Sequence, residues 1–93
     1  MPGYNRDELS AEVRVRTSAR GERSPEQQVA VATRAAGATG LAHEGGPDTT
    51  LLSGARAEVL EAVRAVIDAS LDAGAHVVEV KVEAQGNAPR FGS

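Results

Sequence analysis

The sequence predicts an α+β domain of order β-α-β-β-α-β, in which a four-stranded antiparallel sheet carries both helices on one face. Three observations predict it. Residues 11–16 and 76–84 alternate small or apolar side chains with charged ones; residues 25–37 and 56–73 repeat apolar residues at helical spacing; and Gly45-Gly46-Pro47-Asp48 places a turn midway between those helices. Period two marks a strand with one buried face, and a period near 3.6 marks a helix with one buried stripe.

The first strand has Ala11, Val13 and Val15 on one face and Glu12, Arg14 and Arg16 on the other. The first helix starts at Pro25, because Ser24 can cap it, proline suits the first helical position and Gln27 stands where a capping box requires it. Val29, Ala32 and Ala36 form its stripe, Val31 and Ala35 widen it, and Gly37 or Gly40 supplies the stop. Residues 41–44 and 49–53 are read as strands of a hairpin around the proline, which cannot donate to a ladder. Gly54 ends the second of them.

The second helix shows Val59, Val63, Val66 and Ser70 beside Leu60, Ile67 and Leu71, a broad apolar face that Gly74 closes. Arg64 and Asp68, one turn apart, are expected to pair. The last strand puts Val78, Val80 and Val82 opposite Glu79, Lys81 and Glu83. This order is the ferredoxin-like split motif, and right-handed crossovers make the first and third strands the inner ones. The fourth then runs antiparallel to the first, with Arg14 expected across from Glu79 and Glu12 across from Lys81. Residues 1–10 are read as a flexible arm, 11–84 as the ligand-binding domain and 85–93 as a tail.

Composition narrows the function classes. The chain has 93 residues, 41% hydrophobic and 25% charged, which makes one small globular domain with a thin core that association would help. A net charge of −3 without a basic face argues against nucleic acid. No apolar run reaches membrane-spanning length and the N-terminal residues lack a signal-peptide core, so a cytoplasmic location without membrane contact is expected. The absence of cysteine removes disulfides and thiolate chemistry. Tyr4 and Phe91 are the sole aromatic residues, so alanine, valine and leucine must pack the interior.

Leu51 and Leu52 are adjacent in the third strand and therefore point to opposite faces. One belongs beneath the helices, and the other needs a cover on the open sheet face: a second subunit, a ligand or the tail carrying Phe91. Polar residues gather in the same hairpin. Glu44, Asp48, Thr49, Thr50 and Ser53 offer carboxylates and hydroxyls, and His43 a hydrogen-bonding imidazole. His43 and Glu44 alternate on a strand and lack a third ligand, so a metal site is not expected. Gly45-Gly46 is followed by no P-loop lysine and reads as a turn. No nucleophile and base share a spacing that would make a catalytic pair, and no catalytic residue is assigned.

The runs Leu41-Ala-His-Glu-Gly-Gly-Pro47, Thr50-Leu-Leu-Ser-Gly54, Glu58-Val-Leu-Glu-Ala-Val63, Gly74-Ala75 and residues 78–82 resemble the small YkoF-like thiamine-binding family. The resemblance covers about residues 11–84 and rests on short motifs. It implies a ferredoxin-like fold, homodimers or homotetramers packed through sheet faces, and binding of thiamine or its hydroxymethylpyrimidine part without turnover or cofactor. Asp48-Thr49 departs from a common Met-Gly, Ser53 from a usual glutamate, and Glu83-Ala84-Gln85 from a closing aspartate and arginine. On this reading His43, Glu44, Asp48, Thr49, Thr50 and Ser53 form the ligand site of a non-catalytic carrier or sensor. The alternatives are an interaction module working through the sheet face and a small biosynthetic enzyme on the same fold.

Overall fold

A computed structural model describes residues 8–43 and 46–84. Six elements follow one another: β1 (Leu9–Arg16), α1 (Pro25–Ala38), β2 (Ala42–His43), β3 (Thr49–Gly54), α2 (Arg56–Asp72) and β4 (Val77–Ala84). The order is the expected one. The sheet itself requires a correction: its body is three-stranded, made of antiparallel β3, β1 and β4, and not the complete four-stranded sheet that the sequence predicts. The second strand is a two-residue remnant that pairs Ala42 with Leu52 and His43 with Leu51 along the outer side of β3. Sequence explains the truncation. Gly40, at φ 77°, ends α1, and Gly45-Gly46-Pro47 begins a few residues later, leaving little room for a ladder.

With that remnant included the lateral order is β2-β3-β1-β4, so β1 and β3 are the inner strands, as right-handed crossovers demand. The β1–β4 register sets Arg14 across from Glu79 and Glu12 across from Lys81, the charge-complementary ladder expected from sequence. The ion pair that forms is diagonal: Arg16 Nε lies 3.4 Å from Glu79 Oε1. Both side chains are about half exposed, so the pair contributes at most ~1 kcal/mol. On α2, Arg64 pairs with Glu61 at 3.8 Å and not with Asp68.

Helix α1 begins with the full capping box, in which Ser24 Oγ accepts from the Gln27 amide at 3.2 Å and Gln27 Oε1 accepts from the Ser24 amide at 3.3 Å. Gly74, at φ 105°, turns the chain after α2. Ala11, Val13 and Val15 of β1 and Leu52 of β3 are buried beneath Ala32 and Ala36 of α1 and Val59, Ala62, Val63 and Val66 of α2. Every buried strand residue has the same parity, so the helices cover one face of the sheet and leave the other open. The core is built from alanine, valine and one leucine, Leu52.

Two parts of the apolar pattern stay outside. Leu60 and Leu71 of α2 are about half exposed, and Val80 and Val82, although on the helix side of β4, are also exposed. Conversely, Gln28 of α1 is wholly buried where the stripe predicts only apolar residues. Among the described residues no helix is long and apolar enough to cross a membrane.

Candidate functional site

Strand alternation sorts the residues of β3. Leu52 is buried under the helices, and Thr50 shares that parity; Thr49, Leu51 and Ser53 therefore look out from the open face. Leu51 is 38% exposed there, the outward leucine that the sequence requires. The hairpin thus brings together Thr49, Leu51 and Ser53 but turns Thr50 away from them. His43 is placed beside Leu51 by backbone register. Glu44 lies outside the described residues, as do Tyr4 and Phe91.

Asp48 sits just before β3, exposed, where its carbonyl accepts the Val15 amide at 3.0 Å and its Oδ1 accepts the Thr49 hydroxyl at 3.1 Å. It lines a different depression from Leu51. That cleft, about 700 Å³, lies at the end of the sheet between β1 and the start of α1, with walls from Val15, Arg16, Thr17, Pro25, Glu26, Val29 and Pro47. Among the described residues, Asp48 and Ser53 therefore line two different depressions.

A second groove, about 280 Å³, crosses the open face and holds Leu51 and Ser53 together with Ser10, Glu12, Lys81 and Glu83. Three strands build it through their registers: Glu12 stands between Leu51 of β3 and Lys81 of β4, and Ser10 between Ser53 and Glu83. Lys81 Nζ is 3.9 Å from Glu83 Oε2. Glu12 is half-buried and forms no ion pair among the described residues, although Lys81 is its ladder neighbour. The groove accordingly combines Leu51, two hydroxyl-bearing serines, two carboxylates and the Lys81 ammonium that pairs with one of them. Ser10, Glu12, Lys81 and Glu83 lie outside the hairpin, on β1 and β4; the signal that finds them is the β1–β4 charge register once it is extended sideways to Leu51.

Among the described residues no three His, Asp or Glu side chains are grouped to hold a metal ion. No family model matches the sequence, and no curated protein is significantly similar to it. One solved structure is similar in shape, a domain of unknown function, DUF77, from Bacillus cereus. The two share 18% identity over 96% of this chain and 88% of that one, with a TM-score of 0.64. At that identity the likeness shows the fold: a ferredoxin-like α/β arrangement.

Proposed function

We propose that this protein is a non-catalytic small-molecule-binding domain whose ligand is thiamine or its hydroxymethylpyrimidine part, held on the open sheet face. The observation that carries the reading is the pairing of Leu51 with Glu12: an outward leucine at the middle of the sheet beside a half-buried carboxylate without an ion-pair partner among the described residues. A ligand with a flat ring and a positive charge satisfies both, the ring lying on the leucine and the cation facing Glu12, while Glu83 engages Lys81. The sequence resemblance to the YkoF-like family supports the ligand class, and the DUF77 neighbour is similar in fold alone.

Calorimetric and thermal-shift titration with thiamine, hydroxymethylpyrimidine and unrelated metabolites tests the reading. Saturable binding is expected, and ligand at 100 times its dissociation constant raises stability by about 2.7 kcal/mol. Glu12→Gln should weaken thiamine more than the uncharged pyrimidine, Leu51→Ala should weaken both, and Thr50→Val, on the helix side, should leave both in place. Failure of both compounds to bind, or affinities indifferent to Glu12→Gln and Leu51→Ala, would remove the proposal.

A second reading has its own observation. Val77 joins Leu51 on the open face, each 38% exposed, and two apolar residues among complementary charges suit an interaction module. A folded protein with no small ligand but with a partner bound across Leu51 and Val77 would favour it.

A further inference from the structure

Helix α2 presents two unlike flanks. One carries Ala62 and Ala65, which line a groove with Thr39 and Leu41 at the end of α1. The other carries Leu60 and Leu71 with the partly buried Ile67, bordered by Arg64 and Asp68, and lies on the side of α2 away from the α1 groove. On the last strand, Val80 and Val82 stand exposed on the same side of the sheet as the helices. Exposed apolar side chains therefore stand on one helix flank and on one edge strand.

The edge is open as backbone too. The Val15 amide donates toward β3, to Asp48, so alternation turns the backbone groups of Arg14 and Glu12 toward β4, where Glu79 and Lys81 meet them. The amides and carbonyls of Val78, Val80 and Val82 then point outward, with no strand beside them among the described residues. Natural edges are blunted by proline, bulges, inward charges or a row of surface charges, and of these β4 has only the last, Glu79, Lys81 and Glu83, whose signs alternate and so can pair with a second copy. β4 pairs with β1 without interruption, contains no proline, and keeps its charges on the open face.

We infer that this edge pairs with β4 of a second copy of the same chain, antiparallel about a two-fold axis at Val80, to join two sheets into one. Charge selects both occupant and register. Centred on Val80, each Glu79 meets Lys81 of the partner subunit, while Val78 meets Val82 of the partner subunit on the helix side. Centring on Lys81 or on Glu79 would instead oppose like charges, which is destabilising. Centring on Val82 again pairs Lys81 with a glutamate but shortens the ladder. Only the Val80 centre combines opposite charges, valine against valine and nearly the whole strand.

The chain contains no cysteine, so single-cysteine variants report the register directly. Residues opposite each other in a hydrogen-bonded antiparallel pair have Cα atoms about 5.5 Å apart, within disulfide range. Under mild oxidation, Val80→Cys should give a crosslinked dimer, while Glu79→Cys and Lys81→Cys should give little. Light scattering should find a dimer of the 9.6 kDa chain that Val80→Lys converts to a folded monomer with unchanged circular dichroism. Three results would overturn the inference. They are a wild-type chain that stays monomeric to high concentration, including one that dimerises only after removal of residues 85–93; a dimer that survives Val80→Lys but is broken by Leu51→Lys; and crosslinking that is no stronger at position 80 than at its neighbours.

Discussion

Gln28 is the residue whose role is best defined by physics and least visible in the pattern. Its side chain is fully buried, yet every polar atom of the amide is used: Oε1 accepts the Ser18 amide at 2.9 Å, and Nε2 donates to the carbonyls of Ser18 and Arg23 at 2.8 and 2.7 Å. It thereby ties the loop between β1 and α1 to the helix. Gly21 of that loop passes so close to Gly74 that an added Cβ would come within 2.8 Å of the Gly74 carbonyl oxygen. Replacing Gln28 with leucine keeps the volume but strands three backbone groups in a partly buried loop. The expected loss is about 2–3 kcal/mol, because each buried group left without a partner costs roughly 1–3 kcal/mol and the loop can rehydrate in part. Urea unfolding measures it; a midpoint unchanged within error would show that the loop holds without its clasp. A polar residue inside a helix stripe reads as a surface position in sequence, since its partners lie on a loop whose path only the fold reveals.

At the scale of elements, local signals were legible wherever the backbone chemistry is local. Ser24, Pro25 and Gln27 announce the start of α1, and the structure shows both hydrogen bonds of the box. Ser24→Ala removes one of them and should lower stability by about 1 kcal/mol, the usual cost of losing such a cap; loss of α1 helicity without any change in the unfolding midpoint would contradict that account. The alternation in β1 and β4 was equally readable and even fixed their register. Two things were not. β2 has the composition of a strand, but strand length depends on how much chain lies between two turns, and here the turns nearly meet. The broad apolar face of α2 is legible as a face only, because a helix shows by spacing which residues share a face and not how far the neighbouring layer extends. Val59, Ala62, Val63 and Val66 meet the sheet, while Leu60 and Leu71 overhang its edge. The site was legible by half for the same reason: Leu51 and Ser53 follow from alternation, whereas Glu12 and Glu83 join them only through pairing between distant strands.

At the scale of the whole molecule, several of the larger apolar side chains stand outside a core of small ones. Among the described residues the fully buried apolar side chains are alanine, valine and Leu52, with Leu9, Leu41 and Ile67 partly buried against them, while Leu51, Leu60 and Leu71 are outside. Small side chains bury little area each, at about 25 cal/mol per Å², so the isolated domain draws limited stability from its core. Covering the overhanging flank of α2 and the valines of β4 would add apolar burial where the larger residues already stand. Stability should therefore rise with protein concentration, since association that favours the folded state shifts unfolding by mass action. Hydrogen exchange locates the effect. Amides of Val13 and Arg14, paired on both sides of β1, should be slowest at every concentration, and those of Ala42 and His43 among the fastest. The amides of Val78, Val80 and Val82 should be protected in concentrated protein and exchange quickly on dilution. If they exchange at one rate throughout, and the unfolding midpoint is also independent of concentration, the domain is stable by its small core alone and the overhang has no partner.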